Sequence, residues 1–502
     1  MATTNLIQAV TAGLEQIPEI AAHLAGQQPP AIQDVYVVLG HERALNPDTL
    51  LVVGDRGSGK SFWCAALNDA AVRNMLSQQL PRLHLDNHQV AIGFAGGIAQ
   101  SNYPSARVLQ GLLKDFEAET IWRTVVLHQL LGVIGEQLPG DSWKNRVDFI
   151  SENAEQEEVW LAQINSKLQK QRKGFLIVFD ALDRLGNNWP DIRRLTQGLL
   201  RVGLDMQSFS AIHLKLFMRP DMWADQSIWA FPDASKLQHN KVVLEWHKAD
   251  LYGLLWHWLA NRPEIVGSVF RDEVEKNLPV RFQALSIVSS EKNEVFYLLP
   301  NMLKTDESLQ ESLFNLFASP YMGTNKKRGK TYAWLPSHLA DAKGQVSPRS
   351  FLLALKESSY LSSSKANQLA LHYEAIKSGV TKASEIRIQE LKEDYPWVGE
   401  VLRPLSGFIV PAKVDELIKR WKDANVLEQL ANLEKSNPAD SQYLPPYALE
   451  VKQAGQQQLQ SLLNTLAEIG VVRLMVDGRV NIPDLFRVGA GISRRGGVKP
   501  VR

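Results

Sequence analysis

The 502-residue chain has one cysteine, Cys64, and a net charge of only +1. A single cysteine excludes an internal disulfide framework and fits a reducing compartment. A balanced charge supplies no global field for nucleic acid, so any such binding must come from a local patch. No uncharged apolar run approaches the ~18 residues of a membrane span. The opening MATTNLIQAV lacks the basic start and apolar core of a secretory signal. The expected location is therefore cytoplasmic. No self-similarity recurs at a period of about 20–50 residues, which excludes ankyrin, tetratricopeptide and leucine-rich arrays. HExxH, GxSxG, paired CxxC and nuclease clusters are missing too. At this length roughly two to four domains are expected.

What is present begins with GDRGSGKS at 54–61. It satisfies G-x-x-x-x-G-K-[ST], with the apolar run 49–53 before it and a helix-compatible stretch after it. Strand, glycine loop and helix are the context that a phosphate-binding loop requires. In that reading the loop Gly54, Asp55, Arg56, Gly57, Ser58 and Gly59 turns backbone N–H groups toward phosphate oxygens, and the next helix adds its N-terminal potential. Lys60 reaches the β- and γ-phosphates and Ser61 holds Mg²⁺ through its hydroxyl. ATP and Mg²⁺ are the expected ligands. Cys64, on the helix behind the loop, reads as a small core residue.

A second chemical stretch is FLIVFDALDRL at 175–185. Five apolar residues rich in β-branched and aromatic types predict a buried strand. A carboxylate at the C-terminal end of such a strand lies on the ligand side of an open α/β sheet. Asp180 then orients Mg²⁺ or its water, and Asp183 polarises the attacking water. The plainer readings are a strand-ending turn for Asp180 and a helix N-cap for Asp183.

Asp180-Ala181-Leu182-Asp183 resembles the Walker B variant of the NACHT group of STAND ATPases, in which a small residue follows the metal aspartate and an acid lies beyond it. Arg184 departs from that pattern. The alternative resemblance is to AAA+ and KAP-type proteins, whose strand ends Asp-Glu-x-Asp-Arg. Asp183 and Arg184 suit it, but Ala181 stands where its catalytic glutamate would be. The first resemblance gives Asp183 the hydrolytic role; the second puts hydrolysis in doubt.

Around these stretches the chain alternates. Residues 5–26 predict two short helices about Pro18, and 31–45 a segment near the adenine. Strands are predicted at 90–95, 212–218 and 241–246. Helices are predicted at 105–135 (with Ser105 as N-cap), 151–172, 190–202 and 250–262. The expected fold is α/β: a five-stranded, mostly parallel sheet with helices on both faces. The expected domains are an N-terminal helical segment (1–45), the nucleotide core (46–262), a helical lid (263–375), and a linker with a winged helix (376–502). The resemblance implies two arginine sensors. Arg219, at the end of strand 212–218, would meet the γ-phosphate, with an ion pair to Asp221 as its plainer reading. Arg349, opening the helix after Ser347-Pro348, would reach back from the lid.

Two regions invite nucleic acid. Lys326, Lys327, Arg328 and Lys330 neighbour Tyr332 and Trp334, although a solvated loop is the plainer reading. The C-terminal stretch predicts a helix at 459–472 capped by Gly470, then two short strands about Asp477-Gly478. Residues 471–502 carry seven cations (Arg473, Arg479, Arg487, Arg494, Arg495, Lys499, Arg502) against Asp477 and Asp484, a local +5. Such a wing could follow a phosphate backbone or, as in STAND and AAA+ proteins, transmit nucleotide state.

Three functions stay open. The first is an ATP-driven switch that forms homo-oligomers with ATP and works with an effector-bearing partner subunit; by analogy it would serve a bacterial anti-phage or mobile-element system. The second is a DNA-binding AAA+ ATPase of the transposition-regulator or loader type, using 473–502 and 326–330. The third is a nucleotide-bound scaffold with little turnover.

Overall fold

Largely apolar segments form the central sheet. Its strands are β1 (Leu51–Val53), β2 (His88–Phe94), β3 (Gly174–Phe179), β4 (Ile212–Met218) and β5 (Val242–Val243). The order is β2-β3-β4-β1-β5 and every neighbouring pair is parallel. The structure, a computed structural model, describes residues 4–18, 29–97, 102–288, 293–364, 368–436 and 455–496. The chain divides into two units, one of 23–245 with 287–292, the other of 1–22, 246–286 and 293–502.

The sheet belongs to the first unit. β3 is buried along its whole length, as a strand covered on both faces must be. Phe175, Ile177 and Phe179 pack into one core with the helices Ala118–Leu130, Ala154–Gln171 and Trp189–Met206. Leu176 and Val178 alternate to the other face. There the helix Lys60–Asn68 lies against β2 and β4. Trp122 anchors the first core: it is fully buried, meets Phe94 and Phe179 edge-on, and donates Nε1–H to the Leu195 carbonyl at 2.8 Å.

Several elements differ from expectation. The helix predicted at 105–135 is two, Ala106–Leu112 and Ala118–Leu130. Between them the amides of Asp115 and Phe116 both turn back to the Leu112 carbonyl, which ends the first helix. Ser105 stands at the N-cap position, but its side chain makes no capping bond. The strand predicted at 241–246 shortens to two paired residues, although the Leu244 amide still bonds the Val53 carbonyl. Of the two N-terminal helices, Thr4–Glu15 is present; residues 19–28, where the second falls, lie outside the described residues.

The second unit is mainly helical. Its core stacks Tyr252 on Tyr332 with ring centroids 4.1 Å apart, and Trp256 on Phe270. A two-stranded pair, Gln283–Val288 with Asn293–Leu298, interrupts a stretch expected to be helical. Tyr332 is only 3% exposed and donates its hydroxyl to Gln310, while Trp334 stacks on His338. The aromatic half of the 322–334 patch therefore serves packing, and Lys330 pairs with Glu311. Toward the C-terminus the hairpin expected about Asp477-Gly478 is present, Arg473–Leu474 against Arg479–Asn481. A third antiparallel strand, Ala412–Lys413, joins it. The helices Val414–Asp423, Val426–Ser436 and Gly455–Glu468 lie between that strand and the hairpin in sequence. No helix among the described residues is long and apolar enough to cross a membrane.

Candidate functional site

Parallel strands bring the loops after β1, β3 and β4 to the same edge of the sheet, the carboxyl edge where open α/β sheets hold ligands. The loop at 54–61 follows β1 directly. Its Gly54 amide bonds the Met218 carbonyl at the end of β4. A side chain at Gly54 would press on the Ser58 hydroxyl at 2.4 Å and force it to shift. Gly59 takes φ +106°, a left-handed conformation that L side chains rarely adopt, and is the N-cap of the helix Lys60–Asn68. Asp55, Arg56 and Gly57 form the half-exposed crest of the loop, and Ser58 lies buried beneath it.

The predicted residues of this unit converge. Ser61 Oγ donates to Asp180 Oδ2 at 2.6 Å across 119 residues of sequence. Lys60 Nζ donates to the carbonyls of Gly54 at 2.6 Å and Asp55 at 2.9 Å, which folds it back over the loop. Arg219 Nη1 donates to Asp183 Oδ2 at 3.2 Å, and its Nε to Asp221 Oδ1 at 3.1 Å. Arg349 belongs to the other unit, where Nη1 donates to Glu390 Oε1 at 2.9 Å.

Burial sets the electrostatics. It lowers the pKa of the Lys60 ammonium, with Asp180 pulling it back upward. It raises that of Asp180, against the Ser61 hydrogen bond and the Lys60 charge. Asp183 goes the other way: burial alone would raise it, but Arg219 and then Lys60 outweigh burial and hold it below the usual carboxylate range. Asp183 is thus ionised at neutral pH and sits between two cations. The hydroxyl and carboxylate of Ser61 and Asp180 are hard oxygen donors. They fit Mg²⁺, which takes one or two protein oxygens and completes its shell with water and phosphate.

Ala181, where the AAA+ resemblance would place a glutamate, has an unusual backbone. It adopts φ +56°, unusual for any residue with a side chain. Its Cβ lies where a Cβ on Gly96 would meet it at 2.8 Å, so the end of β3 packs on the end of β2 through this pair. A glutamate at 181 would keep the left-handed strain in a crowded corner. Asp183, two residues on, is the acid that this backbone presents.

One feature was not foreseen as part of the site. His41 is buried; Trp63 Nε1, which can only donate, gives its hydrogen to His41 Nδ1 at 3.3 Å, so Nε2 carries the proton toward the Glu245 carbonyl at 3.0 Å. His41 thereby ties the segment before β1 to the loop helix and to the chain after β5. The ion pair of Arg219 with Asp221, given above as the plainer reading of Arg219, is present beside the contact with Asp183. The sequence holds its signal, an acid two residues from Arg219 across a proline.

No protein-family model and no curated protein matches the chain. Among solved structures it is similar to the Orc1 protein of Aeropyrum pernix in complex with DNA (13% identity, 92% of this chain and 93% of that one, TM-score 0.33). It is similar also to the Orc2 protein of Aeropyrum pernix in ADPNP–ADP complexes (13%, 93% and 94%, TM-score 0.40). A third is a Walker-type ATPase of Pyrococcus abyssi (11%, 95% and 98%, TM-score 0.39). All three TM-scores fall below 0.5, so what the site can do is argued from the loop at 54–61 and the two carboxyl-edge turns after β3 and β4.

Proposed function

We propose that the chain binds ATP with Mg²⁺ at residues 54–61 and hydrolyses it. The loop amides and the N-terminus of the helix Lys60–Asn68 would hold the phosphates. Lys60, now folded onto two carbonyls, would exchange them for phosphate oxygens. Ser61 and Asp180 would hold the metal, which supplies charge neutralisation at the phosphates when bound. Asp183 would orient the attacking water, and Arg219 would take up charge on the terminal phosphoryl group. The observation that carries this reading is the 2.6 Å contact between Ser61 and Asp180 beside Lys60. It joins the loop to the strand-end carboxylate, as a metal–phosphate site requires. Titration calorimetry with ATP, with and without Mg²⁺, tests it. Binding that strengthens with Mg²⁺ is expected, and no heat in either titration sinks the reading.

A second reading concerns duplex DNA, and the C-terminal sheet favours it. The strand order 473–474, 479–481, 412–413 with its three helices supports a winged-helix arrangement. Its hairpin exposes Leu474 and Val476 between Arg473 and Arg479. Local acids offset part of the charge: Asp477 holds Arg479, and Asp484 holds Arg487 and Arg494. Lys499 and Arg502 lie outside the described residues. A steep fall of duplex affinity with salt, flattened by Arg473→Ala, would support DNA contact; salt-independent binding would argue against it.

A further inference from the structure

Arg219, Pro220 and Asp221 form a rigid corner. Arg219 is extended (φ −86°, ψ 153°), as a residue before proline must be, and Pro220 opens the short helix Pro220–Ala224. That geometry swings the Asp221 side chain back to Arg219 Nε at 3.1 Å. Both side chains are 12% exposed, so the pair is sheltered from water. The other edge of the guanidinium is used separately, with Nη1 on Asp183 at 3.2 Å. Arg219 is close enough to Lys60 to lower its pKa further, after burial lowers it and Asp180 raises it. One guanidinium thus spans two carboxylates that do different things.

We propose that Asp221 is a positioning residue that holds Arg219 by Nε and leaves its Nη edge to move between Asp183 and a terminal phosphate, giving the site a preference for triphosphate over diphosphate. This rests on the nucleotide reading above. The chemistry follows from charge. A terminal phosphate carries more negative charge than a single carboxylate and competes with Asp183 for Nη. A diphosphate leaves that position without an anion, and Arg219 stays on Asp183. Without Asp221 the guanidinium loses its pivot and a fixed planar fork becomes a flexible cation. A first-turn acid also favours a helix N-terminus, but that effect falls equally on both nucleotides.

The test compares affinities of the full chain for Mg²⁺–ADP and for a non-hydrolysable Mg²⁺–ATP analogue. Wild type is expected to prefer the analogue. Asp221→Asn is expected to cut that preference roughly tenfold, the size of one charge-assisted hydrogen bond, with ADP affinity within about twofold. Asp221→Glu should recover part of it. Arg219→Ala should lose the same preference, and the double variant should lose no more than Arg219→Ala alone. If Asp221→Asn does not fold, Pro220→Ala loosens the same corner with both charges intact and should lower the preference by a smaller factor. An unchanged ratio, an equal loss for both nucleotides, or additive losses in the double variant overturns the role. If wild type binds neither nucleotide, the nucleotide reading fails and takes this inference with it. If it binds both without preference, only the inference falls.

Discussion

Two lysines in the nucleotide unit invite comparison. Each donates to two main-chain carbonyls: Lys60 to Gly54 and Asp55, Lys215 to Asn46 at 2.9 Å and Thr49 at 2.8 Å. Burial lowers the pKa of both. Their surroundings differ. Lys60 stands among Asp180, Asp183 and Asp55, on a glycine loop with amides to offer. Lys215 lies fully buried within β4, with only Asp48 acting on it from a distance and no ion pair among the described residues. Its ammonium pins the turn that leads into β1. A buried cation over carbonyls is therefore no site by itself. Acids that need a cation and a backbone that can receive an anion make one.

Exchange of the two lysines breaks or sharpens this contrast most strongly. Lys60→Ala should weaken ATP binding by about 100-fold or more, the scale of one preorganised donor on a developing charge. Lys215→Met should leave ATP affinity within about twofold. Equal effects in the titration would erase the distinction.

A smaller effect concerns pH. The pKa of Lys215 falls from 10.5 to about 7 in the folded chain. Between those values the unfolded chain holds a proton that the folded chain gives up, so stability rises with pH across this window. The slope approaches about 1.4 kcal/mol per pH unit at most. Urea midpoints at pH 7.0 and 9.5 should diverge for wild type and much less for Lys215→Met. A parallel pair of curves would mean that Lys215 keeps its charge. The smallest effect belongs to Ala181→Glu, which should cost about 1–3 kcal/mol through strain at a left-handed residue and add no turnover. A gain in ATP turnover would show that the β3 corner can present a glutamate after all.

The parts legible in the sequence were the local ones. β4 spans the predicted 212–218, β1 falls inside the apolar run 49–53, and β3 takes in 175–179 with Gly174 before it; β1 and β3 are legible because a strand covered on both faces is written as a continuous apolar segment. The loop at 54–61 announced itself because its backbone admits few residue types. The break at 113–117 was hidden, since apolar spacing continues through both helices and no proline marks the turn. The pairing of Arg219 with Asp183 joins residues 36 apart through strand order, which no local pattern encodes. Asp221 was visible as a neighbour of Arg219, but its grip on Nε depends on the backbone angles set by Pro220. No local pattern marks Lys215; only the fold shows the carbonyls it serves.

The most direct measurement is phosphate release from Mg²⁺–ATP at saturating nucleotide by wild type and Asp183→Asn, with ATP affinity measured on the same samples. Wild-type turnover that falls roughly 100-fold or more in the variant, at unchanged affinity, is the predicted result for an acid that orients the attacking water. Equal turnover in the two proteins, or no turnover in wild type despite tight binding, would contradict hydrolysis at this site.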